Sequence, residues 1–250
     1  MEPPESRKRY LAVAPAPSLR QFVECLWVTS IGGFEPGDDR RILPDGRMDL
    51  VWIREVGVLV AGPQSRHTSR PVGAPLLAFG ARFHPGAAPA LLRLPASELV
   101  DAHVPLDAIE PGLAARLDAR LAESRDPREA IAALEDELMR SLRGLAEPDP
   151  MVCAAASMLG DDSATVADVA ARVFVSERQL QRRFAERIGY GPKTFQRIAR
   201  FQRVVRQLSG EGVELARAAA SAGYADQAHL TRESRRLAGL SPRQLVDWME

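Results

Sequence analysis

The sequence predicts an α+β chain of two domains. These are a small N-terminal β-barrel or sandwich with a helical connector, and an all-α C-terminal half carrying tandem helix-turn-helix units. Three observations carry that expectation. Residues 166–192 and 215–242 repeat one pattern: a short Ala-rich stretch, a turn, then a longer Arg-rich helical stretch closed by G-x-x-P. From Leu180 onward the copies run 50 residues apart, pairing Leu180 with Leu230, Gly189 with Gly239, Pro192 with Pro242 and Phe195 with Leu245. The first 110 residues hold short β-rich runs broken by Gly and Pro, and two amphipathic helical stretches follow them.

A chain of 250 residues has room for one large or two modest domains. Its formal net charge is zero, but the charge is unevenly placed: residues 151–250 hold 15 basic and 11 acidic side chains, and residues 1–150 hold 18 and 22. Between Arg172 and Arg206 ten basic residues face only Glu177 and Glu186, a local field that suits a phosphate backbone. Cys25 and Cys153 are too far apart to suggest a disulfide framework, which fits a reducing compartment. The first ten residues lack the apolar core of a signal peptide, and Arg54 and Glu55 interrupt the most apolar run, residues 50–61. The expectation is a cytoplasmic protein with no membrane partner.

Taken in order, Pro3, Pro4, Pro15 and Pro17 argue against a regular element before Leu19. Residues 19–29 end in a β-rich run, and Gly32, Gly33, Pro36 and Gly37 mark a loop. Residues 42–53 set a Pro-Asp-Gly turn between two apolar stretches and so predict a hairpin; residues 56–61 and 76–83 predict further strands. His67, His84 and His103 lack metal-ligand spacing, and neither G-x-S-x-G nor a P-loop is present, so no cofactor and no enzymatic role is assigned. Asp45 and Asp49 read as a turn Asp and a strand-edge Asp rather than an acid pair. Arg66, His67 and Arg70 read as a solvated loop rather than an anion site. Trp27, Trp52, Phe79 and Phe83 read as core rather than a ligand cage.

The connector has two apolar stripes, Leu113, Leu117 and Leu121, then Ile131, Leu134, Leu138 and Leu142. Asp126 caps the second helix and Pro127 occupies its first position. Such an αα-hairpin either packs on the barrel or pairs with a second copy. Gly144 and the E-P-D-P run at 147–150 form the linker. The domain reading is therefore 1–110, a connector over 111–146, and 150–250.

In the last domain residues 151–159 start as an apolar helix. Thr165 or Ser163 caps the next, which buries Val166, Val169 and Val173. Ser176 with Gln179 forms a capping box for the following helix. There Leu180, Phe184 and Ile188 point inward, leaving Arg178, Gln181 and Arg182 outward. Guanidinium and amide groups so placed suit guanine and adenine edges in double-stranded DNA. In the second copy Asp226 opens the helix, Leu230 and Leu237 face inward, and Gln227, Thr231 and Arg232 face outward. Residues 195–208 read as one helix with Ile198, Phe201, Val205 and Leu208 on its stripe. Its span of roughly 20–25 Å can hold two recognition helices to groove segments about 34 Å apart. Ser176, Arg183, Lys193, Arg197, Arg200 and Arg203 are candidate phosphate contacts, with Arg206 beside them and Arg217, Arg235, Arg236 and Arg243 weaker.

On V-S-E-R-Q-L-Q-R-R-F (175–184), G-Y-G-P-K-T-F (189–195) and G-Y-A-D-Q-A-H-L-T-R-E-S-R-R-L-A-G-L-S-P (223–242), residues 151–250 resemble the DNA-binding domain of AraC/XylS-family bacterial transcription regulators. The resemblance implies base contacts from Arg178, Gln181 and Arg182 in the first motif and from Gln227, Ala228, Thr231 and Arg232 in the second. Ser234 stands where the family usually has a buried Phe matching Phe184, which implies a weaker second anchor. Residues 41–52, 62–65 and 79–88 are similar, more loosely, to the β-rich N-terminal domain of a subset of these regulators. That likeness implies a small-molecule effector, a homodimer and, for an activator, contact with RNA polymerase. Two rivals stand beside this reading. A methyl-accepting DNA-repair regulator needs a Cys in a P-C-H-type setting, which Cys25 in V-E-C-L-W and Cys153 in V-C-A-A lack. An interaction protein that does not bind DNA has Ser234 as its support.

Overall fold

Strand alternation sorts the apolar side chains of the N-terminal half onto two faces of one sheet. The computed structural model describes residues 9–31, 39–71, 76–161, 164–209 and 214–249; the loop glycines and proline at 32–37 and Ser163 lie outside them. The sheet is antiparallel, in the order β1 (Arg9–Val13), β2 (Val23–Ile31), β7 (Leu76–Phe83), β4 (Met48–Ile53), β5 (Gly57–Ala61), β8 (His103–Pro105). Strands β3 (Asp39–Ile42) and β6 (Thr68–Pro71) pair separately as a two-stranded ribbon. Among the described residues the sheet does not close into a barrel; its edges are β1 and β8.

One face of the sheet carries Leu26, Leu50, Trp52, Phe79, Ala81 and Phe83 into the N-terminal core. That core is covered by α1 (Ala88–Leu92), α2 (Pro111–Ala122) and α3 (Pro127–Leu142). Leu113, Leu117, Leu121, Leu134, Leu138 and Leu142 are all buried there, so the connector's two stripes pack against the sheet. Each such leucine contributes roughly 1.5–3 kcal/mol by leaving water. Asp126 caps α3 by accepting from Arg128 and Glu129 amides at 2.7 and 3.0 Å. The Trp52 indole donates to Asp118 Oδ1 at 2.8 Å and ties α2 to the sheet. Glu137, fully buried, takes Arg116 Nε at 2.7 Å and Arg140 and joins the two helices.

Several sequence expectations need correction. A strand does precede Leu19: the prolines at 15 and 17 follow β1, whose R-Y-L-A-V pairs Tyr10 with Thr29. The Pro-Asp-Gly turn does not close a hairpin, because β3 pairs with β6 while both edges of β4 are taken by β5 and β7. The β4–β5 hairpin turns instead through residues 54–56. For the same reason Asp49 is not at a strand edge; it sits in the sheet interior. Trp52, Phe79 and Phe83 are core, whereas Trp27 lies on the opposite face with Ile53 and Ala78.

The C-terminal half is all helix: α4 (Pro150–Asp161), α5 (Val166–Arg172), α6 (Glu177–Ile188), α7 (Pro192–Leu208), α8 (Leu215–Ser221), α9 (Gln227–Ala238) and α10 (Pro242–Met249). Its core gathers Leu159, Val169, Leu180, Phe184, Phe201 and Leu245, among others. The buried stripe of α7 runs through Ile198, Phe201, Val204 and Leu208. Val205, expected there, is displaced by about 100° of helix rotation and faces the N-terminal half instead, lining a cavity described below. None of the described helices is long and apolar enough to cross a membrane.

The two halves meet through backbone and side-chain hydrogen bonds. Gln202 Nε2 donates to Pro44 O, the His67 amide donates to Leu237 O, and Arg41 Nη1 donates to Ala238 O, each at 2.7 Å. Gly46 of the Pro-Asp-Gly turn has φ +79°, and a Cβ there would stand 2.8 Å from the Phe195 ring. The turn is thus a contact with α7.

Candidate nucleic-acid interface and the cavity behind it

Each recognition unit is built from its caps inward. Thr165 and Asp168 form a reciprocal capping box at the start of α5, and Ser176 and Gln179 form another at the start of α6. Leu180, Phe184 and Ile188 are then fully buried, with Phe184 edge-on to Phe195 at 5.8 Å between centroids. That anchoring turns Arg178, Gln181 and Arg182 to solvent on the opposite face. Gln181 lies across Gly191, where any Cβ would stand 2.2 Å from its amide nitrogen.

The second unit has the same plan. Asp226 caps α9 by accepting from the His229 amide at 2.6 Å. Leu230 and Leu237 are buried, and Gln227, Ala228 and Arg232 are exposed. Thr231 is half-buried and donates its hydroxyl to Gln227 O at 2.8 Å. Ser234 is fully buried, with Oγ donating to Leu240 O at 2.7 Å. The position is thus the core position that the repeat implies. In place of a ring, the serine hydroxyl satisfies a backbone carbonyl.

The candidate phosphate contacts divide. Ser176 and Lys193 are exposed, and Ser176 is already the cap of α6. Arg183 is exposed but pairs with Asp149 at 3.0 Å. Arg197 makes a two-pronged pair with Glu233, both contacts at 2.9 Å, and so fastens α7 to α9. Arg200 lies 5.8 Å over the Tyr224 ring, and Arg203 donates to Gly160 O. Burial, with the Glu233 carboxylate adding to it, pushes the Tyr224 phenol up to about 12. Arg197, Arg200 and Arg203 thus all make contacts within the helical frame.

Sequence reasoning missed Phe174. It occupies the turn between α5 and α6 at φ +57° and is 94% exposed. A β-carbon is disfavoured in that region and an apolar ring gains nothing in water. The V-F-V-S run hides it, since alternating apolar residues before a cap read as packing. Burial pushes the Cys25 and Cys153 thiols up, the opposite of an activated methyl acceptor.

Behind this surface, on the sheet face that carries Trp27, lies a cavity of about 440 Å³. Its walls come from both halves: Val51 and Leu59 from the sheet, Ile42 from the ribbon, Val205 from α7 and Trp248 from α10. Gly80 makes room for the floor, because a Cβ there would stand 2.3 Å from the Trp27 ring.

Two turn-linked helix pairs, each anchoring one face of an Arg-rich helix and presenting the other, define a tandem helix-turn-helix domain. Residues 153–247 match the family model described as a helix-turn-helix domain, and residues 11–105 match a domain of unknown function, DUF6597. Over 104 residues the chain is 36% identical to an AraC-like transcription regulator of Streptomyces antibioticus and, equally, to one of Streptomyces lividans. Those matches cover 40% of this chain and 34% of each relative, so the match spans about a third of the length of these curated relatives. The helical half is a helix-turn-helix domain of the AraC type, and the β-rich half stands N-terminal to it. Among solved structures the chain is similar to ToxT from Vibrio cholerae at 10% identity and a TM-score of 0.49, over 92% of this chain and 98% of that one.

Proposed function

We propose that the protein is a sequence-specific DNA-binding transcription regulator acting in the cytoplasm. Its two recognition helices, α6 and α9, read adjacent major-groove segments of double-stranded DNA, and a small molecule taken up by the N-terminal half modulates the binding. The observation that carries the reading is the repeat itself. Two copies of one helix pair each turn a basic, amide-bearing face to solvent around a buried anchor.

In this reading Arg178, Gln181 and Arg182 make the principal base contacts, with Gln227, Ala228, Thr231 and Arg232 completing the site. Ser176, Arg183 and Lys193 are the phosphate contacts nearest the first motif. Arg197, Arg200 and Arg203 contribute to phosphate binding from the frame in which they are fixed. A homodimer would place two such units on one operator, and an activator would also touch RNA polymerase. No catalytic step is assigned to the chain.

The test is selection of bound fragments from random DNA by the purified full-length chain. Enrichment of a bipartite motif with its halves about one helical turn apart supports the reading. Recovery of unenriched sequence overturns it.

A further inference from the structure

Another cleft opens between the two halves, beside the ends of both recognition helices. Its volume is about 460 Å³, and its walls come from the loop at 65–66, the start of α7 and the last turn of α9. Tyr190, next to the glycine that stops α6, closes one side. Arg66, Arg197 and Arg236 all line it, and among the described residues no carboxylate does.

The three charges are not equivalent. Arg197 gives Nε and Nη2 to Glu233, both at 2.9 Å, and is already neutralised. Arg66 and Arg236 are exposed, and among the described residues neither has an ion-pair partner. Arg66 nevertheless stands on a fixed backbone. Ser65 before it is tied to Asp101 through its amide at 2.7 Å and its hydroxyl at 2.6 Å. His67 after it donates its amide to Leu237 O at 2.7 Å. The uncompensated charges therefore belong to one residue of each half, and an anion is drawn in without breaking any existing pair. Guanidinium forks match the oxygens of a phosphate, and two free charges suit a group that carries nearly two at neutral pH. Thr194, in the first turn of α7, adds a hydroxyl to the same wall.

We propose that this cleft binds a small phosphate monoester, held by Arg66 from the N-terminal half and Arg236 from the C-terminal half while Arg197 stays on Glu233. The volume leaves room for more than the phosphate, since small-molecule sites run from roughly 300 to 1,000 Å³. A molecule held this way joins the loop at 65–66 to the last turn of α9, so it favours the arrangement in which the halves are docked. The inference goes beyond the DNA-binding reading and is tested without DNA. A DNA backbone phosphate offers the same chemistry, and a second measurement separates the two sources.

The test is isothermal titration of the full-length protein, in phosphate-free buffer at fixed ionic strength, with ribose 5-phosphate, inorganic phosphate and ribose. Ribose 5-phosphate is expected to bind saturably at a single site, inorganic phosphate more weakly at the same site, and ribose not at all. Arg66→Ala and Arg236→Ala are each expected to weaken ribose 5-phosphate binding by about tenfold or more. Arg235→Ala removes an exposed charge next door but outside the cleft, and is expected to change binding by less than about twofold. Saturable binding of neither phosphate, binding that survives Arg66→Ala, or an equal loss with Arg235→Ala overturns the proposal. In the second measurement Arg66→Ala is titrated with a selected DNA duplex and no phosphate compound. Its DNA affinity is expected to stay within about threefold of the parent. A loss as large as that for ribose 5-phosphate assigns the cleft to the DNA backbone and overturns the small-molecule site. If the protein binds ribose 5-phosphate but selects no DNA, the regulator reading falls alone.

Discussion

Arg41 Nη1 donates to the carbonyl of Ala238 at 2.7 Å, setting a cation of the N-terminal ribbon on the C-terminal end of the second recognition helix. The contact has a counterpart on the first. A Cβ on Gly189, the residue ending α6, would stand 2.6 Å from Pro63 and 3.1 Å from Ala96 O, just as one on Gly239 would stand 2.5 Å from His67. Both recognition helices therefore end against the N-terminal half. The glycine of each G-x-x-P is at once a left-handed helix stop and a point of contact.

The Arg41 contact satisfies a terminal carbonyl and complements the helix dipole, a gain of roughly 0.3–2 kcal/mol. Arg41→Ala is expected to speed amide hydrogen exchange in the last turn of α9 and leave α6 unchanged. Uniform exchange in both helices would contradict that placement.

Ser234→Phe restores the residue that the repeat suggests, yet Ser234 is fully buried and its Oγ already donates to Leu240 O at 2.7 Å, so a ring there must displace packed neighbours. The change is expected to destabilise the protein by about 1–3 kcal/mol through overpacking, read by urea denaturation. Ser234→Ala leaves the Leu240 carbonyl without its donor and is expected to lose about 1 kcal/mol. A Phe variant more stable than the parent would mean that the site is a void.

Burial pushes the Glu137 carboxyl up, but hydrogen bonds and charge from Arg116, with Ser141 and Arg140, hold it below the usual 4.5. A depressed folded value contributes stability above the unfolded pKa and loses it as pH falls through the folded one. Glu137→Gln is therefore expected to lower stability near neutral pH by roughly 1–3 kcal/mol. The gap from the parent should narrow as pH drops below 4.5. A gap independent of pH would contradict the ionised, paired carboxylate.

Phe174→Gly relieves a left-handed residue at an exposed site and is expected to gain up to about 1 kcal/mol in thermal or urea unfolding. A loss of stability would show that the ring packs in the folded state.

What could be read from the sequence followed helical periodicity and caps. Leu180, Phe184 and Ile188 at i, i+4 and i+8, with Ser176 and Gln179 before them, specified both the anchor and the exposed Arg178–Arg182 face. Strand partners were less legible, because alternation gives a face but not a neighbour. The Pro-Asp-Gly turn has the composition of a hairpin turn, yet the strand before it, β3, pairs with β6. Phosphate contacts were the least legible. Arg197 and Arg203 are basic at the right spacing, but the partners that fix them in the helical frame, the Glu233 carboxylate and the Gly160 carbonyl, lie 36 and 43 residues away in the chain.

The most direct test of the central claim is the affinity of the Arg182→Ala variant for a selected operator and for operators changed one base pair at a time. The account predicts a loss of about 1–3 kcal/mol on the parent operator, together with lost discrimination at one base pair. Binding that matches the parent on every sequence would contradict it.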